Sequence, residues 1–161
     1  MEQLADFSDQ TRIWIYQSNR LFKTDEITKI NSILNGFSKE WATHGNQMAS
    51  KCFVVEPCFI IMAVDQSIVA ASGCSIDSSV KILKQIEKEF DLDLFDRLNL
   101  SYIDSSGVVQ LIKMDEFQNG LKNGVFTADT IVFNNLIDNL PDLNAKWKTK
   151  VANSWHANLI P

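Results

Sequence analysis

Histidine, cysteine, proline and glycine are all scarce in this chain. Its 161 residues include only 2 His, 3 Cys, 3 Pro and 6 Gly. So little Pro and Gly excludes a collagen-like chain and argues against a mainly disordered one. The cysteine count is odd and shows no paired short spacing, and a chain of this length can bury a core without disulfides. Both features favour a reducing compartment.

Excess positive charge and long apolar runs are also lacking. The 15 basic and 20 acidic side chains give a formal net charge of −5, which argues against non-specific binding to nucleic acid or to anionic lipid. Residues 1–6 show neither the basic nor the apolar region of a secretory signal. The longest apolar run, 58–64, is far shorter than the ~20 residues that span a bilayer. We therefore expect a cytoplasmic protein with no membrane insertion and no nucleic-acid partner.

Hydrophobic residues make up 45% of the chain, enough for one globular domain over residues 1–161. Apolar runs predict strands at 12–16, 52–55, 59–64, 68–71, 100–103, 108–112 and 130–133. Asp65-Gln66-Ser67 is expected to turn the third and fourth of these strands into a hairpin, and Glu56-Pro57 to break the pair before it. Residues 104–107 are expected to turn a second hairpin.

Apolar spacings of three and four predict helices after Thr24 and after Gly73, and the capping-box pattern of Asp115 with Gln118 predicts a short third helix. Thr24 and Asp115 are the expected N-caps of the first and third helices, and Gly124 is expected to close the third. The segment after Asp142 fits a helix or a strand. Hairpins join neighbouring strands at places where a doubly wound parallel sheet would need crossover connections. The sequence therefore predicts the α+β fold class, as a single domain with a mostly antiparallel sheet and helices packed on one face.

The segment 71–79 is the most suggestive for function, because it joins a strand to the start of a helix. Free N–H groups and the positive end of the helix dipole favour an anion or a thiolate there. The candidate ligand-binding residues are Gly73, Cys74, Ser75, Ser78 and Ser79.

A catalytic alternative makes Cys74 a nucleophile, with His44 or His156 as its base and Asp77 as the group that orients the base. A purely structural interpretation competes with it, in which Ser75 or Asp77 is the N-cap and Cys74 is a small buried hydrophobe.

Motifs for other chemistry are missing. The spacing of Cys52 and Cys58 does not suit a zinc knuckle, and no glycine-rich phosphate loop or Gly-x-Ser-x-Gly elbow occurs. The sequence therefore predicts no metal and no cofactor.

Several segments together resemble a family of small uncharacterised bacterial proteins. They are 14–17 with Arg20, Trp41 with 44–45, 71–80, 95–97, 133–136 and 154–155, and the run SGCSIDSS at 72–79 is the most specific. Members often carry the label "ABC transporter ATPase". No Walker A, Walker B or ABC signature motif occurs here, so the chain contradicts that label. The family has no established activity, and the resemblance implies no catalytic residue.

Two functional hypotheses follow. The first is a non-catalytic binding or interaction protein that takes an unidentified small ligand or protein partner near Gly73–Ser79. The second is a thiol-dependent enzyme, a hydrolase or transferase, that uses Cys74. We favour the first, and the sequence leaves a homo-oligomer open.

Overall fold

The structure is a computed structural model that describes residues 1–161. It contains four α-helices and antiparallel strands in three sheets, which confirms the α+β class. The strands are β1 (Thr11–Gln17), β2 (Ala42–Thr43), β3 (Asn46–Gln47), β4 (Ser50–Val55), β5 (Phe59–Asp65), β6 (Asn99–Ile103), β7 (Val109–Lys113), β8 (Ile131–Phe133) and β9 (Lys148–Lys150). The helices are α1 (Thr24–Glu40), α2 (Gly73–Phe90), α3 (Met114–Lys122) and α4 (Leu140–Lys146).

The two larger sheets lie face to face between helices. The first has the order β1-β5-β4, and the second has the order β7-β6-β8-β9. Central strand β5 is apolar on both sides because both sides are covered. Ile60 and Met62 pack in a cluster with side chains of α1 and α2, whereas Phe59 and Ile61 pack with side chains of β7, β8 and α4. Helix α3 covers the outer side of the second sheet, where Phe117 is fully buried.

The first hairpin differs from its prediction. Strands β4 and β5 pair with each other across Glu56-Pro57-Cys58, and residues 68–71 form no strand. Glu56 turns the chain with a φ of 49°, and Pro57 lies in the turn, where no ladder N–H is needed. Ile68, expected in a strand, is 82% exposed.

The predicted helices are present, but the N-caps are wrong. Thr24 is the first residue of α1, and the side chain of Glu26 accepts the backbone N–H of the N-cap, Lys23, at 2.8 Å. Glu26 also forms a two-bond ion pair with Arg20, which lowers the pKa of Glu26 to about 2. The side chain that caps the start of α1 is therefore that of Glu26, the third helical residue, rather than that of the predicted Thr24.

Two further caps also lie outside the expected residues. Ser72, and neither Ser75 nor Asp77, is the N-cap of α2, and its hydroxyl accepts the N–H of Ser75 at 3.4 Å. Helix α3 starts at Met114 after Lys113, so Asp115 lies within its first turn. The segment after Asp142 contains both elements that were left open, since it completes α4 and then forms β9. No helix is long and apolar enough to cross a membrane.

Candidate functional site

The start of α2 is closed by its own side chains. The hydroxyl of buried Ser75 donates to the carbonyl oxygen of Ser72 at 2.8 Å, and that of buried Ser79 donates to Ile76 O at 2.7 Å. Ser78 is exposed and donates to Cys74 O at 3.0 Å. The indole N–H of Trp41 occupies the Ser75 carbonyl at 2.8 Å. The hydroxyl groups proposed for a ligand therefore already have partners within the fold.

Cys74 is exposed, so the interpretation of this residue as a packed small hydrophobe is wrong. Neither histidine nor Asp77 forms a hydrogen bond with its thiol, and Asp77 is itself exposed. His44 lies exposed in the turn between β2 and β3, with a φ of 49°. The chain therefore brings a free thiol to the surface without hydrogen-bonding it to a base.

The other two thiols are shielded. Cys52 and Cys58 are buried in the first sheet and its hairpin turn, with 2% and 0% of their surface exposed. Burial raises the pKa of each thiol to about 12, because the thiolate would lose its hydration. No group of three or more His, Cys, Asp or Glu side chains is arranged to hold a metal ion.

His156 is completely buried and is not a partner for exposed Cys74. Its ring stacks on Trp155 with centroids 4.0 Å apart, and Ser154 Oγ lies 2.8 Å from its Nδ1. Nε2 has no hydrogen-bond partner. Burial lowers the pKa of His156 to about 4, so this imidazole is neutral at pH 7.

A cleft of about 330 Å³ opens along the edge of β1 that faces away from β5, beyond the single bridge between Arg12 and Asn139. Its other walls come from residues 94–97, 99–100, 133 and 135–138 and from Trp155. Eleven of its 18 lining residues are hydrophobic, including the aromatic rings of Trp14, Tyr16, Phe95, Phe133 and Trp155. Ligand pockets in proteins have about 300–1,000 Å³ and mostly apolar walls with a few fixed polar groups, and this cleft meets the first two conditions.

The polar groups of the cleft are held by a directed chain of hydrogen bonds. The indole N–H of Trp147 donates to Asn135 Oδ1 at 3.1 Å, and Asn135 Nδ2 donates to Gln17 Oε1 at 2.9 Å. Ser101 Oγ also donates to Gln17 Oε1, at 3.0 Å. An indole can only donate, so it fixes the orientation of the Asn135 amide and, through it, that of Gln17.

This orientation leaves the Nε2 group of Gln17 without a partner. Gln17 is only 6% exposed, and Nε2 is buried. Asn99, which also lines the cleft and is 8% exposed, has a buried Nδ2 group without a partner as well. A buried unpaired donor destabilises a protein by about 1–3 kcal/mol, so each of these two groups calls for an explanation. Neither group has an acceptor oxygen within the protein.

Two arginines add positive charge to the same cleft. Arg12 and Arg97 line it, and neither forms an ion pair. Burial raises the pKa of Tyr16, and the nearby charge of Arg97 opposes that rise. Asp96 forms an ion pair with Lys113 at 2.7 Å, which lowers its pKa. Asp138 is therefore the one carboxylate of the lining without a cationic partner.

The sequence analysis did not predict a site at this cleft. Even so, the cleft is lined by several of the segments on which the resemblance to the bacterial family depends. Residues 14–17, 95–97, 133, 135–136 and 155 all belong to its walls. One signal was available, since Gln17 ends an apolar strand at a position that faces the second sheet. Its partners lie 84 and 118 residues further along the chain, and no local pattern predicts such pairs.

No protein-family model matches the chain, and neither a curated protein nor a solved structure matches it. The resemblance described above therefore stays a prediction, and the interpretation of the cleft depends on its geometry.

Proposed function

We propose that this protein is a non-catalytic binding domain whose ligand occupies the cleft beside β1. The observation that carries the proposal is the buried Gln17 Nε2 group, which is held in one orientation by Asn135 and Trp147 and lacks an acceptor. A ligand oxygen at this point would satisfy the donor, and the aromatic walls would bury an apolar ligand body. The binding hypothesis is retained, but its site moves away from Gly73–Ser79.

Thiol-dependent catalysis at Cys74 is the weaker candidate. Exposure of this thiol favours it. However, a nucleophilic cysteine is usually activated by a base within hydrogen-bond reach, and no hydrogen bond joins the Cys74 thiol to a histidine or to Asp77.

The proposal is tested with three small probes that share an aromatic ring. Benzoate and benzamide carry acceptor oxygens, and toluene is the matched probe without one. We expect the first two, at millimolar concentration, to shift the side-chain NH₂ signals of Gln17 and Asn99 in ¹H–¹⁵N spectra. The exposed side chain of Asn35 on α1 is the internal control and should not respond.

The variant Gln17→Glu identifies the NH₂ signal of Gln17 by its loss and tests whether the Nε2 donor is needed for binding. The replacement keeps an oxygen to accept from Ser101 and Asn135 but removes the NH₂ group. We expect it to weaken benzoate binding at least tenfold at pH 8. Equal responses to toluene and benzoate, or shifts confined to residues 73–79, would contradict the proposed site.

A further inference from the structure

The edge of β1 that faces away from β5 gives the cleft a second kind of hydrogen-bonding group. The backbone N–H groups alternate in direction along an antiparallel strand, and that of Ser18 donates to Cys58 O on the β5 side. The N–H groups of residues 12, 14 and 16 therefore face β5, whereas those of residues 11, 13, 15 and 17 point away from it. The N–H of Ile13 points away in this manner and donates to Asp138 O at 2.8 Å.

Ile15 points in the same direction two residues later. Its N–H has no hydrogen bond within the protein, and Ile15 lines the cleft. The strand edge therefore offers an unpaired N–H donor and an unpaired carbonyl acceptor at one residue. A small organic acid offers only acceptors, whereas an extended peptide offers a donor and an acceptor at the spacing of a strand.

The donors beyond Ile15 suit a carboxylate. Gln17 is two residues, or roughly 7 Å, further along β1. Gln17, Asn99 and Arg97 all line the cleft, and the side-chain NH₂ groups of Gln17 and Asn99 are buried without an acceptor in the protein. Asp138 lies at the opposite end, where its carbonyl oxygen binds Ile13. An anion at the Gln17 end is therefore about four strand residues, roughly 13 Å, away from the Ile13 position where Asp138 binds.

The small volume of the cleft favours the end of a peptide over a longer peptide strand that would pass through it. Its 330 Å³ is at the lower limit of the roughly 300–1,000 Å³ of ligand pockets, which admits only a few residues. A C-terminal residue also places its carboxylate directly on the backbone that would pair with Ile15.

We infer, on the basis of the proposed function, that the ligand is the C-terminal end of an extended peptide. Its backbone pairs with Ile15, its terminal carboxylate is bound by Gln17, Asn99 and Arg97, and its apolar side chains contact Trp155 and Phe95. The occupant is thus a segment of another protein or a free peptide with an unmodified C-terminus.

The test uses pooled acetylated tetrapeptides that end in Phe, Leu or Val. One pool has free C-terminal carboxylates, a second has C-terminal amides, and a third has free carboxylates with an N-methyl group on the penultimate residue. Binding is measured by calorimetry and by the Gln17 side-chain signal. We expect the first pool to bind at least tenfold more tightly than either of the others.

Charge-neutral variants locate the carboxylate. We expect Arg97→Gln to weaken binding of the first pool at least fivefold. Lys81→Gln is the matched control, because Lys81 is an exposed cation on α2 outside the cleft and outside any ion pair. It should leave the affinity unchanged. An equal loss in both variants would show a general charge effect and overturn the assignment of the carboxylate to Arg97.

The remaining outcomes separate the inference from the proposed function. If the acid and amide pools bind with equal affinity, the proposed role of the terminal carboxylate is overturned. If the N-methylated pool binds as tightly as the first pool, the proposed backbone pairing with Ile15 is overturned. If benzoate shifts the Gln17 signal and no peptide pool does, the peptide inference fails and the binding cleft stands. If neither benzoate nor any pool shifts it, both fail.

Discussion

The buried imidazole of His156 predicts a loss of stability in mildly acidic solution. Its pKa falls from 6.5 to about 4 on folding, because burial removes the ring from water. Below pH 6.5 the unfolded chain binds a proton that the folded chain does not. Stability is therefore complete above pH 6.5 and decreases as the pH falls towards 4.

The magnitude follows from the shift in pKa. Each unit of pKa shift corresponds to about 1.4 kcal/mol, so the full effect is roughly 3–4 kcal/mol, of which about 2 kcal/mol is lost between pH 7.5 and 5. This window lies above the region where carboxylates with lowered pKa, such as that of Glu26, begin to bind protons on unfolding. Their contribution to the slope is therefore small.

Urea unfolding at pH 7.5, 6.5, 5.8 and 5.0 measures this loss. His156→Gln removes the ionisable ring and should flatten the dependence of the unfolding free energy on pH, whatever its effect at pH 7.5. His44→Asn is the matched control, since it removes an exposed imidazole at a left-handed turn position that asparagine tolerates. It should keep the wild-type slope. Identical slopes for wild type and His156→Gln would refute the reasoning.

Two further predictions concern the core and the thiols. Leu34→Ala should lower the free energy of unfolding by about 2–5 kcal/mol, because Leu34 is fully buried among the side chains of α1, α2 and the first sheet. Lys39 is exposed on the same helix, and Lys39→Ala should change the free energy of unfolding by less than about 0.5 kcal/mol. Equal urea midpoints for the two variants would show that the Leu34 side of the helix is not packed. An alkylating reagent at pH 8 should label Cys74 in the native protein and all three thiols only after unfolding, since Cys52 and Cys58 are buried. Native labelling of two or three thiols would contradict the burial.

Patterns of three and four residues predicted the helices well. Ile30 and Leu34 repeat at this spacing in α1, and both are fully buried. The hairpin of β4 and β5 was mispredicted because an apolar run at 68–71 imitates a strand, whereas the true turn depends on the backbone of Glu56. Local composition does not record a positive φ at a glutamate, which costs free energy and is compensated by tertiary packing.

The candidate site was much harder to predict than the fold. Its donors come from β1, the start of β6 and the loop after β8, and they meet because two sheets pack face to face. The segment 71–79 stood out in the sequence because all of its residues are adjacent. Residues that are adjacent in the sequence revealed a well-capped helix start, whereas the residues of the cleft could be found only from the tertiary structure.

Gln17 is the residue on which the proposed binding role of the cleft depends most. A leucine at this position would continue the apolar strand and avoid the cost of about 1–3 kcal/mol for a buried unpaired donor. The chain instead holds the amide with Ser101 and Asn135, and Trp147 in the core fixes the direction of Asn135. Such a network keeps Nε2 in place before any ligand arrives, so a ligand oxygen would bind without ordering the side chain first. A binding role accounts for both the cost and the orientation.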